Sequence, residues 1–125
     1  MASQTTIMVV DDEPDLLAIT KIMLEKKGYL IHGFTDPKEA LLHVQEDGGC
    51  TDCKLVLSDV RMPSMSGIEL VERIKNLHPE LKVILMTAYK VSEEESQVVI
   101  PVDAFLNKPF RSAELIEAID KAACK

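Results

Sequence analysis

The sequence predicts an α/β domain built on a doubly wound, five-stranded parallel sheet. Three observations lead there. Short apolar runs alternate with helix-patterned stretches along the chain, and strands separated in this way pair in parallel through right-handed crossovers. Four of those runs break off into polar groups: Ile7–Val10 into Asp11, Asp12 and Glu13, Leu55–Ser58 into Asp59, Val83–Met86 into Thr87, and Ala104–Leu106 into Asn107 and Lys108. In an open parallel sheet, the carboxyl ends of the strands are where ligands bind. The length of 125 residues suits one domain with a genuine core.

The elements follow in order. Residues 7–10 form the first strand. Pro14 opens a helix, since its missing N–H would have no intrahelical partner there; the helix runs to about Lys27 with Leu16, Ile19 and Met23 along one face, and Gly28 stops it. Residues 29–34 make a second, less apolar strand suited to an edge. Asp36 and Glu39 carry cap chemistry for a helix reaching about Asp47, ended by Gly48 and Gly49. Residues 54–58 are the third strand. Ser66 and Glu69 have capping-box spacing, and Leu70, Val71, Ile74 and Leu77 form the apolar stripe of the helix that follows. Residues 81–86 are the fourth strand. Ser92 and Glu95 open a short helix that Pro101 stops; residues 103–106 are the fifth strand. From Ser112, the spacing of Leu115, Ile116, Ile119 and Ala122 describes a final amphipathic helix.

Bulk properties exclude several functions. Acids outnumber bases 21 to 14, for a net charge of −7, which argues against direct DNA binding because affinity for phosphate backbones comes from Lys and Arg. No apolar run approaches the ~18 residues of a membrane span. The polar start, Met1 to Thr6, is not a signal peptide. Three cysteines do not make a disulfide framework. A cytoplasmic home is expected, with no membrane association.

Asp11, Asp12 and Asp59 gather three negative charges at one sheet edge. Such a cluster is costly unless a cation joins it, and hard oxygen ligands with room for water favour Mg2+. A turn at Lys108–Pro109 aims an ammonium back at the acids, where it can meet a phosphate oxygen as a point charge. Thr87 offers a hydroxyl to the same oxygen. Read singly, each has a plainer explanation: helix-capping acids, a surface lysine, a β-branched residue closing a strand. The joint pattern favours a site for a divalent metal and a phosphoryl group.

These motifs bring a family into view. Val-Val-Asp-Asp-Glu at 9–13, Ser-Asp-Val-Arg-Met-Pro at 58–63 with Gly67, Met-Thr-Ala at 86–88 and Asn-Lys-Pro-Phe at 107–110 stand in a specific order and spacing. From Ile7 to about Ala122 the chain resembles a response-regulator receiver domain of two-component signalling, of the stand-alone, chemotaxis-regulator-like kind. The resemblance implies a flavodoxin-like (βα)5 receiver fold, with residues 1–125 a single receiver domain (core about 6–123) and no effector domain. It implies Asp59 as phosphoacceptor, Mg2+ ligated by Asp12, Asp59 and the backbone carbonyl of Arg61 with Asp11 helping through water, and Lys108 pairing with the phosphoryl group. Thr87 and Phe105 would be the switch residues. The donor would be a phosphohistidine on a sensor histidine kinase or a histidine phosphotransfer protein. The chain would be a signalling module and not an enzyme, catalysing only its own phosphoryl transfer and dephosphorylation. Two positions depart from the usual pattern: Phe105 is often tyrosine, and Arg111 stands where a helix-capping Asp or Ser is common.

Output would then pass through contact with an unknown downstream protein; a diffusible regulator, a phosphorelay intermediate and a phosphorylation-dependent dimer are all compatible. Arg61, two residues past the acceptor, and Tyr89, two past Thr87, would flank the approach of a hydrolytic water. Neither is a carboxylate or amide that readily orients that water, so autodephosphorylation is expected to be slow relative to receivers with small or acidic residues at both places. Rival readings fit less well. A small Mg2+-dependent aspartyl-phosphate phosphohydrolase would carry its nucleophile on the first strand, with a second Asp two residues on. A non-phosphorylated pseudo-receiver would not need all five key side chains. A flavin-binding domain would need a phosphate loop that is missing. Cys50 and Cys53 have metal spacing, but two ligands do not make a structural zinc site; reduced loop thiols are the simpler reading.

Overall fold

Five runs of apolar residues pair in parallel to form one sheet in the order β2-β1-β3-β4-β5. The computed structural model describes residues 5–45, 53–62, 65–87, 103–108 and 110–123. The strands are β1 (Thr6–Val10), β2 (Leu30–Phe34), β3 (Cys53–Asp59), β4 (Lys82–Thr87) and β5 (Ala104–Asn107). Four helices lie among the described residues: α1 (Pro14–Glu25), α2 (Pro37–Gln45), α3 (Gly67–Leu77) and α4 (Ser112–Ala123). The expected short helix at 92–101 falls outside the described residues, as do Cys50 and the side chain of Cys53.

Strand alternation divides the core in two. Met8, Val10, Val56, Val83 and Leu85 face α2 and α3, where Ala40, Leu41, Val44, Leu70, Val71 and Ile74 cover them. Ile7, Val9, Leu55, Leu57, Ile84, Met86 and Leu106 face the other way, against Leu24 of α1 and Leu115, Ile119 and Ala122 of α4. Helices on both faces explain why the central strands read as unbroken apolar runs. As its weaker pattern suggested, β2 lies at an edge.

Local chemistry sets the helix ends. Pro14 stands at the start of α1, whose N-cap is Glu13. The helix closes earlier than expected, at Glu25, because the Lys27 and Gly28 amides turn back to the Leu24 and Glu25 carbonyls, and Gly28 takes φ 92°, a conformation glycine adopts without strain. Asp36 accepts from the Lys38 amide at 2.9 Å. Ser66 caps α3 by accepting from the Glu69 amide at 3.1 Å, as its spacing predicts.

Three of the polar residues expected just past the strands lie inside them. Asp59, Thr87 and Asn107 are the last residues of β3, β4 and β5, and the Val60 amide still donates to the Met86 carbonyl at 2.8 Å. Neighbouring strands carry the ladder one residue beyond the apolar run, which a single run cannot reveal.

The first turn of α3 packs directly on this strand end. The Gly67 amide donates to the Val60 carbonyl at 2.7 Å. A Cβ at Gly67 would collide with the Asp59 carbonyl oxygen and approach its carbonyl carbon to 2.8 Å. Alanine would favour the helix by up to about 1 kcal/mol, but overpacking against backbone costs about 3 kcal/mol. Gly67→Ala is therefore expected to lower the urea midpoint; an unchanged or raised midpoint would show that α3 can shift freely.

Candidate functional site

The site continues the sheet's own alternation. Along the face toward α1 and α4, β1 reads Ile7, Val9, Asp11; β3 reads Leu55, Leu57, Asp59; β5 reads Leu106, Lys108. Each column of apolar side chains thus ends in a charged one on the same side. Val10 stands opposite Ser58, so Asp11 and Asp59 fall at neighbouring positions. The backbone holds them there. The Asp11 amide donates to the Phe34 carbonyl at 3.0 Å and the Lys108 amide to the Thr87 carbonyl at 2.7 Å.

The Lys108 ammonium joins the columns. Its Nζ lies 2.8 Å from Asp11 Oδ2 and 3.1 Å from Asp59 Oδ2. Asp11 is completely buried, and its other oxygen accepts from the Glu13 amide at 3.0 Å. Asp59 Oδ1 faces the Arg61 amide at 3.4 Å. Asp12 is half-buried, and one carboxylate oxygen each from Asp11, Asp12 and Asp59 lie within 4.8 Å of one another. Thr87 is buried beside them, and all of these residues border a cleft of about 560 Å³.

The electrostatics follow from burial. Desolvation pushes Asp59 above the usual carboxylate range and the Asp11 charge adds to this; Lys108 pulls the other way. For Lys108, burial opposes the charge, but hydrogen bonding and attraction from Asp11 and then Asp59 hold the ammonium above its ordinary value. Lys108 therefore stays cationic at neutral pH. With every carboxylate ionised, three acids against one ammonium leave an excess of two negative charges, the charge of one divalent cation. All the acidic donors are hard oxygens, the set that suits Mg2+.

The sequence reading named this charged cluster but not the apolar wall beside it. The α1 stripe of Leu16, Ile19 and Met23 lines the cleft together with Thr20 and Phe110. Ile19 is 48% exposed, and it is Thr20 and Leu24 that are buried. Helical periodicity reveals an apolar face without saying whether core or cleft lies opposite. Arg61 borders the cleft as an exposed residue. Phe105 is 41% exposed on β5 and stands opposite Leu85. Tyr89 and Pro109 lie outside the described residues. Among the described residues no helix is long and apolar enough to cross a membrane.

The raised pKa of Asp59 has a definite sign for stability. The folded state keeps this proton to higher pH than the unfolded chain. The contribution to stability is therefore complete below the ordinary value of 3.8 and is lost as pH rises through the folded value. Without metal, Asp59→Asn should match the wild type in stability at the acid end and exceed it near neutral pH by on the order of 1–3 kcal/mol. Denaturant melts across pH check this; equal stabilities near neutrality would mean that ionised Asp59 is fully compensated by Lys108.

Comparison with known proteins agrees with this geometry. Residues 7–120 match the family described as the response regulator receiver domain. The response regulator receiver protein CpdR of Brucella abortus (strain 2308) is 32% identical over 116 residues, spanning 92% of this chain and 93% of CpdR. A CheY-like receiver domain protein from Methanospirillum hungatei JF-1 is similar in structure with a TM-score of 0.88 at 31% identity, covering 98% of this chain and 95% of that one. The response regulator TrrA from Thermotoga maritima, solved in complex with Mg(2+)-BeF, gives 0.82 at 31% identity, covering 95% and 99%. Proteins of this kind are signalling domains that accept phosphoryl groups from histidine kinases. The ladder, the charged strand ends and the match over nearly the whole chain agree: this chain belongs to the response regulator receiver domain family of two-component signalling.

Proposed function

We propose that this chain is a phosphorylatable receiver whose acceptor is Asp59, charged by a partner phosphohistidine with Mg2+ in the acidic cleft, and that phosphorylation switches a protein-binding surface. One observation carries the reading: a buried carboxylate at a strand end, touched by one ammonium and flanked by two further acids, in an open cleft. In the transfer, an Asp59 oxygen forms the new O–P bond as the P–N bond of the donor breaks, and the electron pair stays on the donor's imidazole. Carboxylate is a weak nucleophile toward phosphorus, so positioning and charge neutralisation dominate. Lys108, 3.1 Å from Asp59 Oδ2, is near enough to follow the incoming phosphoryl oxygens. Mg2+ supplies Lewis-acid neutralisation of those oxygens when bound. Asp12, Asp59 and the Arg61 carbonyl would hold it. Asp11 already accepts from Lys108 and from the Glu13 amide, which suits it to help through water. TrrA's complex with Mg(2+)-BeF supports the assignment.

The switch in this reading runs from Thr87 to Phe105. A phosphoryl group at Asp59 draws the Thr87 hydroxyl toward it, and Phe105 turns from its exposed position into the space released. Phenylalanine has no hydroxyl to hold the inward state, so packing alone holds it. The donor is a sensor histidine kinase or a histidine phosphotransfer protein, the output is contact with a downstream protein, and the setting is cytoplasmic. The chain acts as one receiver domain and not as an enzyme on a separate substrate.

Intact-mass measurement with acetyl phosphate and Mg2+ tests the acceptor. The wild type should gain one phosphoryl group and Asp59→Ala none; equal uptake by the variant would refute the assignment. Followed over time, the same measurement reads the hydrolysis rate. Joint replacement Arg61→Asn and Tyr89→Glu should speed phosphate loss, and a tenfold change needs only about 1.4 kcal/mol in the barrier. Unchanged or slower decay would remove these two residues from any tuning role.

Calorimetric titration with Mg2+ separates the acids. Direct ligation should make Asp12→Ala lose more affinity than Asp11→Ala, and the opposite order would reverse the two roles.

A further inference from the structure

A second cavity, of about 320 Å³, opens at the end of the sheet opposite Asp59. Its apolar lining is Ile7 and Leu55, near the starts of β1 and β3, with Ile119 of α4 and the ring of Tyr29. All but the half-buried Tyr29 are buried core residues. Lys54 and Lys82 border it on adjacent strands, Lys82 standing opposite Leu55 in the register. Among the described residues neither lysine has an ion-pair partner. Glu80, the acid on the same rim, has a side chain 72% exposed and is engaged with His78 Nδ1 at 3.3 Å. Burial and then the Asp120 charge push the Tyr29 phenol up, so it remains a hydrogen-bond donor at neutral pH.

We propose that this cavity is a second binding site, for a small organic anion with a flat apolar body. The body lies against Ile7, Leu55, Ile119 and the Tyr29 ring, and a carboxylate or phosphate meets the Lys54 and Lys82 ammonium groups. The volume is at the lower end of the range of small-molecule sites, and an apolar lining with a few polar groups at the edge is their usual construction. A contact between an ammonium and an anion is stronger than one between neutral groups, so either rim lysine that reaches the anion adds to its binding. The alternative is that the lysine stems merely cover apolar surface while their heads stay in water; the experiment separates the two.

The full chain, without Mg2+, is titrated with phenyl phosphate, benzoate and benzyl alcohol while backbone amide shifts are followed. The two anions should bind with a Kd of about 1 mM, with shifts centred on Tyr29, Leu55 and Ile119, and benzyl alcohol more weakly. Phenyl phosphate tighter than benzoate identifies a phosphate ligand, and the reverse a carboxylate. Lys54→Gln with Lys82→Gln should weaken the anions about tenfold, or about 1.4 kcal/mol, and leave benzyl alcohol unchanged. Phosphorylation of the double variant by acetyl phosphate should match the wild type, showing that it is folded. Scattered or non-saturating shifts, equal binding of benzyl alcohol, or full anion affinity in the double variant would overturn the proposal.

Discussion

A single ammonium between two buried carboxylates holds the working end of this molecule together. Lys108 bridges Asp11 and Asp59, and in doing so links the ends of β1, β3 and β5. None of the three charges would be tolerable alone at that depth, because burying an unpaired ion costs several kcal/mol. Lys108 offsets only part of the burial that pushes Asp59 up. The fold therefore keeps a standing excess of negative charge at the end of its most buried strands. That excess opposes folding, and it also makes the cleft receptive to a divalent cation, while the Lys108 ammonium is the group suited to meet phosphate oxygens.

The two faces of the sheet divide the work. Toward α2 and α3 the apolar columns pass into a closed core, with Leu70, Val71 and Ile74 sealing it. Toward α1 and α4 the columns end in charge, and the covering helix stands back far enough to leave a cleft. Gly67 couples the two sides. Because it carries no side chain, α3 can rest on the backbone of Asp59 from the opposite face.

Much of this was legible in the sequence, for identifiable reasons. The strands were legible because both-face burial writes continuous apolar runs, and the acids because two of those runs, the first and the third, stop at a carboxylate. The turn at Gly28 and the cap at Ser66 were legible because their chemistry is local. What escaped was nonlocal. Asp59 and Thr87 belong to the strands because their neighbours extend the ladder, a fact written in the partners. Leu16, Ile19 and Met23 have the spacing of a core face, but what stands opposite them is a cleft. The meeting of Lys108 with Asp11 spans almost the whole chain, and only the strand order brings them together. The family resemblance supplied roles for these residues; the geometry supplied contacts, and the roles themselves rest on the experiments.

The placement of Asp59 and Thr87 on ladder positions has a consequence for how such a module can diversify. Distances among the polar groups at the strand ends are set by inter-strand spacing and pleat, quantities common to any parallel sheet. The rim of the cleft belongs instead to α1, Arg61 and Phe110. Changes of length or composition there would redraw the surface a partner meets while leaving the separations among carboxylates, hydroxyl and ammonium untouched. Recognition and chemistry are written in separable parts of the same 125 residues, so one can drift while the other stays fixed.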